Sequence, residues 1–158
     1  MTGETGGIVI IGIGNGYRRD DGVGVAVAAA LDVRAIPSVV VKTGIADPMS
    51  LLEAWTGASL VVIIDAAIAN PSDPGRIRRC DLTDLCMQSD GLHSHSIDIE
   101  RTYALGRVLG RVPGELVLFT IEVPDTDHGI GLSRPVAGAV PKAVEMVVAE
   151  IGLGLQAR

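Results

Sequence analysis

Residues 8–13, IVIIGI, form a run of β-branched apolar residues interrupted only by Gly12. Such a run marks a strand buried on both faces, as in a parallel sheet. The same pattern recurs at 38–43 (SVVVKT), 59–65 (SLVVIID) and 115–121 (ELVLFTI). Between these runs the apolar spacing changes from two to between three and four. Val23, Val27, Ala30 and Leu31 predict a helix near 21–32. Leu52 and Trp55 predict a short helix opened by Asp47-Pro48, an N-cap followed by a first-turn proline. Ile97, Ala104, Leu105 and Val108 share one face of a third helix. A last helical region runs from Val136 to Ile151, and Pro141 is expected to divide it. Residues 76–80 are expected to form a short edge strand. The segments 69–75, 81–94 and 123–131 are rich in turn formers and read as loops, the second of them mobile.

Strands alternating with helices predict an α/β fold, a three-layer α/β/α sandwich around a mostly parallel twisted sheet. With 158 residues and no repeat or linker, the chain is expected to fold as one domain over 1–158. Its four aromatic residues leave the core to aliphatic packing. The formal charge of −6, without a Lys/Arg block, argues against nucleic acid and anionic membrane surfaces as partners. No apolar run approaches the ~20 residues that span a bilayer, and the N-terminus lacks a signal-peptide pattern. Cys80 and Cys86 have neither metal-site nor disulfide-framework spacing, so they read as ordinary packing or surface thiols in a cytoplasmic protein.

Ligands of parallel sheets bind beyond the carboxyl ends of the strands. The polar residues expected there are Asn15, Asp20 and Asp21 after the first strand, Lys42, Thr43 and Asp47 after the second, and Asp65 ending the third. His93 and His95 precede the third helix, and His128 follows the last strand. Each has a plainer reading. Asp20 or Asp21 could cap the first helix, Asp65 could be a turn residue, and a lone loop histidine is usually a surface residue. Two carboxylates and an imidazole at one edge would nevertheless suit Zn²⁺, Ni²⁺, Mn²⁺ or Fe²⁺ and leave coordination positions open. Gly12, Gly14 and Gly16 give G-x-G-x-G rather than the dinucleotide fingerprint, and the second strand ends on Lys42 where a ribose-binding acid would stand.

The run GIGNGYRRDDGVGV at 12–25 resembles the opening signature of the hydrogenase maturation protease family. The resemblance continues through VVIIDAAIANPSDPG at 61–75, SHSIDIERTYALGRVLGRVP at 94–113 and GIGLSRPVAGAVP at 129–141. It implies a cytoplasmic endopeptidase, metal-dependent or aspartic-type. Its partner would be a nickel–iron hydrogenase large-subunit precursor, whose C-terminal extension it removes after nickel insertion. It also implies that Asp21, Asp65 and His95 are both the metal ligands and the catalytic residues. Asp21 is preferred to Asp20 because it directly precedes G-V-G, and His95 to His93 because of its spacing to Pro113. The nickel would arrive with the substrate, and zinc or cadmium could take its place. Asn15, Gly44, Asp47 and His93 are the expected substrate-binding residues. One segment departs from the family pattern: KTGIADP at 42–48 has lysine where some members carry aspartate. Two other readings stay open, a non-catalytic nickel-binding or delivery module on the same fold and a nucleotide-binding α/β protein.

Overall fold

The computed structural model describes residues 7–14, 22–69, 73–81, 92–94, 99–124 and 131–156. The strands are β1 (Ile8–Gly12), β2 (Val39–Lys42), β3 (Leu60–Ala69), β4 (Ile77–Asp81), β5 (Leu92–Ser94) and β6 (Glu115–Glu122). The helices are α1 (Val23–Val33), α2 (Pro48–Trp55), α3 (Ile99–Leu109) and α4 (Arg134–Gln156). The strands form one sheet in the order β2-β1-β3-β6-β4, with β5 paired to β3. β2, β1, β3 and β6 are mutually parallel, whereas β4 runs antiparallel to β6 and β5 antiparallel to β3.

Each face of the sheet carries a core. On one face Ile8, Ile10, Val62, Ile64, Phe119 and Ile121 pack against Val23, Val27 and Leu31 of α1 and Val136, Val144 and Val147 of α4. On the other, Ile11, Val61, Ile63, Leu116 and Leu118 pack against Leu51, Leu52 and Trp55 of α2 and Ile99 of α3. This is the expected three-layer α/β/α sandwich, and the alternation of side chains along β1, β3 and β6 divides its two cores.

The face expected to bury the third helix is exposed at Ala104, Leu105 and Val108, while Ile99, Thr102 and Gly106 are buried instead, and Ile97 lies outside the described residues. Three further elements differ from expectation. β3 does not end at residue 65 but runs to Ala69, so Asp65 lies inside the strand. Hydrogen bonding to β6 carries it on, through Ala66↔Ile121 and Ala67↔Glu122. The segment 81–94, expected to be irregular, contributes β5, whose backbone pairs with Ala67–Ala69. Pro141 does not divide the last helix, and α4 is continuous over 23 residues. The lost backbone hydrogen bond and the ring clash cost about 3 kcal/mol. Burial of Val136, Val144, Val147 and Ile151 along one face contributes about 6 kcal/mol or more and outweighs that cost.

Helix α1 lies unusually close to the sheet. A Cβ on Gly24 would stand 2.4 Å from the carbonyl oxygens of both Ile13 and Ile64. One on Gly12 would stand 2.6 Å from the Ala28 Cβ and from the Gly24 oxygen. These two glycines therefore serve a backbone-to-backbone approach, which is the physical content of the glycines flanking the first turn. Gly24→Ala is expected to lower stability by about 2–3 kcal/mol, because both obstructing atoms are backbone, as read from the urea midpoint. Pro141→Ala, at an exposed position, is expected to raise stability by about 2 kcal/mol in the same measurement.

Candidate functional site

The strand order reverses between β1 and β3, since β1 leads outward to β2 while β3 leads to β6 on the other side. In doubly wound sheets ligands sit at the carboxyl ends of the strands flanking that switch point. β1 ends at Gly12, paired with Ile64, and the Ile13 N–H still donates to the Ile64 carbonyl at 2.9 Å. β5 takes over the same side of β3 from Ala67. Asp65 and Ala66 occupy the notch between the ends of β1 and β5.

Asp65 is fully buried, and its Oδ1 accepts a hydrogen bond from the following Ala66 N–H at 2.8 Å. A buried carboxylate needs counter-charges, hydrogen bonds or a metal to offset its lost hydration. Two described stretches of backbone approach it. Gly24, three residues after Asp21 in the chain, touches the Ile64 carbonyl next to Asp65. Ser94, which directly precedes His95 in the chain, pairs with Ala67 two residues beyond Asp65. The nominated residues Asp21, His95 and Asn15, together with Asp20, His128 and Cys86, lie outside the described residues. His93 has its backbone in β5, opposite Ile68. Among the described residues no three His, Cys, Asp or Glu side chains converge on a common point. The N-cap of α1 is Gly22, a residue with no side chain to cap with.

The face of the sheet toward α2 and α3 changes character at Asp65. One row across β3, β6 and β4 is apolar: Ile63, Leu118 and Cys80. The next row toward the carboxyl ends is Asp65, Thr120 and Arg78. Beyond it, Ala67 pairs with Glu122, whose N–H donates to the Arg76 carbonyl at 2.8 Å. Glu122 is 1% exposed. Its Oε1 accepts from the Asp73 N–H at 3.0 Å, and its Oε2 faces Arg78 Nε at 3.5 Å and Arg76 Nε at 3.9 Å. Arg78 Nε, Thr120 Oγ1 and Glu122 Oε2 are buried without a hydrogen-bond partner. Each such orphan costs about 1–3 kcal/mol. Sequence reasoning missed this row. Its signal was present, because Thr120 and Glu122 are alternate residues in an otherwise apolar run, and Arg76 and Arg78 alternate in RIRRC.

The 42–48 segment leaves β2 at the same end of the sheet. Gly44 adopts a positive φ of 77° with open space around its Cα. A groove of about 410 Å³ is lined there by Val41, Lys42, Thr43, Ile45, Ser50 and Glu53. Asp47 is an N-cap of α2, as expected: its Oδ1 accepts from the Ser50 N–H and its Oδ2 from the Ser50 hydroxyl, both at 2.9 Å. The β4 thiol of Cys80 is buried in the second core. The described residues contain no helix long and apolar enough to cross a membrane.

A family model described as HycI, hydrogenase maturation protease, matches residues 25–150. The coenzyme F420 hydrogenase subunit delta of Methanothermobacter thermautotrophicus is 27% identical over 162 residues, covering 92% of this chain and 95% of that protein. The hydrogenase 2 maturation protease of Escherichia coli is 24% identical over 147 residues, covering 91% and 90%. Among solved structures, the hydrogenase maturating endopeptidase HybD from E. coli superimposes with a TM-score of 0.78 at 21% identity, covering 93% of each chain. The [NiFe] hydrogenase maturation protease HybD from Thermococcus kodakarensis gives a TM-score of 0.74 at 24% identity, covering 90% of this chain and 97% of that one. The two structures share the fold.

The cap makes a pH prediction. The Ser50 N–H, and after it the Ser50 hydroxyl, hold the Asp47 carboxyl below its ordinary value of 3.8. A depressed folded-state pKa stabilises above the unfolded value and loses that effect as the pH falls through the folded value. Asp47→Ala is therefore expected to lower Tm by about 2–4 °C at pH 7, and the deficit should vanish as thermal scans approach pH 2.

Proposed function

Because the chain belongs to the hydrogenase maturation protease family, we propose that it removes the C-terminal extension of a nickel–iron hydrogenase large-subunit precursor after nickel insertion. It reads the inserted metal through Asp21, Asp65 and His95. The observation that carries this reading is Asp65, a buried carboxylate at the switch point of the sheet, in the notch between β1 and β5. Two supports stand beside it. Asp21 immediately precedes the Gly22 that opens α1, and α1 is held against Ile64 through Gly24. His95 immediately follows β5, which runs toward Asp65.

Nickel is part of the substrate in this proposal. Two carboxylates and an imidazole suit it by hardness, and they would accept zinc or cadmium in its place. A carboxylate of the site takes a proton from the attacking water, and the amide nitrogen of the cleaved bond leaves protonated. None of the proposed site residues is a serine or cysteine, so hydrolysis is direct rather than through an acyl-enzyme. Asn15, Gly44, Asp47 and His93 are the substrate-binding residues of this proposal. The groove beside 42–48 receives part of it, with Lys42 presenting a positive charge there. Cytoplasmic processing belongs to the same proposal.

One observation favours a second reading. The archaeal relative is by name a hydrogenase subunit. A non-catalytic companion that binds the nickel-bearing polypeptide would leave the precursor's length unchanged. The two readings separate when purified protein is mixed with nickel-loaded and nickel-free precursor and the products are weighed by mass spectrometry. Shortening of only the loaded form is expected. Asp21→Asn, Asp65→Asn and His95→Ala should each reduce its rate by at least about a hundredfold, with Tm within a few degrees of wild type. Full-rate cleavage by all three variants would remove this site from the reaction.

A further inference from the structure

We propose that the open edge of β2 binds the polypeptide substrate as an added strand. The edge's part in cleavage rests on the reading above, but its capacity to take a strand does not. The sheet ends at β2 on one side and at β4 on the other. The two edges are built differently. β4 carries Arg78, Arg79 and Asp81, and charges of this kind keep foreign strands off an edge. β2 reads VVVK, with neither proline nor bulge, and Val40 is 53% exposed. The Ile8 N–H donates to the Ser38 carbonyl, so the groups of Val40 and Lys42 continue the ladder to β1 and those of Val39 and Val41 point away from it. The Val39 N–H donates to the Ile36 carbonyl at 3.3 Å. The Val39 C=O and both main-chain groups of Val41 have no partner among the described residues.

Two grooves flank this row, one on each face of the sheet. Val39 and Val41 face the α1–α4 core. On that face, at the start of β2, a groove of about 380 Å³ is lined by Ile36, Pro37, Val148 and Ile151. Ala35 and Ser38, non-glycines at φ of 50° and 66°, turn the chain on either side of Ile36-Pro37 and set that wall. Val40 and Lys42 lie level with Val9 and Ile11, on the α2 face, where the groove of Lys42, Ile45, Ser50 and Glu53 begins at the end of β2. A strand laid along β2 alternates its side chains between the two faces. Every second residue then lies on the side of the apolar groove and the others on the side of the polar one, while the backbone meets Val39 and Val41. A second copy of β2 is the poorer occupant, because two chains of formal charge −6 repel each other. The position of the edge also fits a substrate. The groove beside 42–48 opens at the end of the sheet that holds Asp65. A strand outside β2 lies three strand spacings from β3, about 14 Å, which about five extended residues cover. The edge thus reads backbone, with apolar side chains in alternation, about five residues from the bond that is cut.

The test uses the full chain with assigned backbone amides and the peptide acetyl-Ser-Val-Ser-Val-Ser-Val-amide. The Val41 N–H is expected to exchange with solvent at least about tenfold more slowly under saturating peptide, while the amides of β4 keep their rates. Peptides N-methylated at the valines and at the serines should behave differently. One of the two should lose the protection and the other keep it, because only alternate N–H groups face β2. An equal effect of the two methylations would overturn the proposal, and so would a Val41 amide that the parent peptide leaves unprotected. Protection that grows with protein concentration in the absence of peptide would assign the edge to a second copy and overturn the substrate reading. Val41→Pro removes an N–H that points away from β1, so the fold should tolerate it. With a hydrogenase precursor as substrate it should raise KM about tenfold, and an unchanged KM would remove the edge from cleavage. Val40→Lys, which gives this edge a charge of the kind β4 carries, should do the same and decides the matter if the proline variant does not fold. If the wild-type chain cleaves no precursor, the previous reading has failed, and the peptide titration alone decides the edge.

Discussion

Helix α1 touches the sheet backbone to backbone. Two carbonyl oxygens, those of Ile13 and Ile64, stand where a side chain on Gly24 would be. This contact fixes the height and rotation of α1 over β1 and β3, and with them the point at which the chain enters the helix. The rest of the edge follows from it. β1 ends at Gly12 because the chain must leave the sheet to reach that helix start, and its ending opens the notch that Asp65 and Ala66 occupy. β3 persists to Ala69 because it has β6 on one side and then β5 on the other. A carboxylate in the middle of an apolar strand would be costly elsewhere. Here the strand beside it has just stopped.

Much of this was legible in the sequence, for identifiable reasons. Strands buried on both faces announce themselves as unbroken aliphatic runs, and β1, β3 and β6 were read that way. Asp47-Pro48 carries its capping chemistry in two adjacent residues, and the structure bears it out down to the Ser50 bonds. What failed was set by partners distant in sequence. An aspartate after SLVVII looks like a strand end unless one knows that β6 runs on alongside it. Three residues of β5 carry no periodicity of their own and exist only because the edge of β3 is open. Pro141 reads as a break, and only the continuous apolar face of α4 on the sheet overrides it. Asp65 reads from the sequence as the end of its strand, whereas it lies inside β3, beside the point where β1 has stopped. Asp21 and His95 rest on motif and on the described backbone that adjoins them.

The polar row of Asp65, Thr120 and Arg78 changes how the edge is understood. The face above α2 and α3 does not fade gradually into solvent. It turns from Ile63, Leu118 and Cys80 to an acid, a hydroxyl and a guanidinium within two residues on each of three strands. The two antiparallel strands are what make this possible. β4 brings Arg76 and Arg78 alongside β6 without needing a crossover helix to cover them, so charged groups can lie at the sheet's edge and still reach Glu122.

The long helix α4 acts as a brace. At 23 residues it spans about 35 Å. It is tied at both flanks of the sheet: Glu145 pairs with Arg34, just after α1, and Glu150 takes a two-pronged bond from Arg79 of β4, with Nε–Oε1 at 2.6 Å and Nη2–Oε2 at 3.2 Å. Exposed ion pairs contribute little to stability, but these two join α4 to the end of α1 and to the edge strand β4. The opposite face is covered by the shorter helices α2 and α3, of 8 and 11 residues.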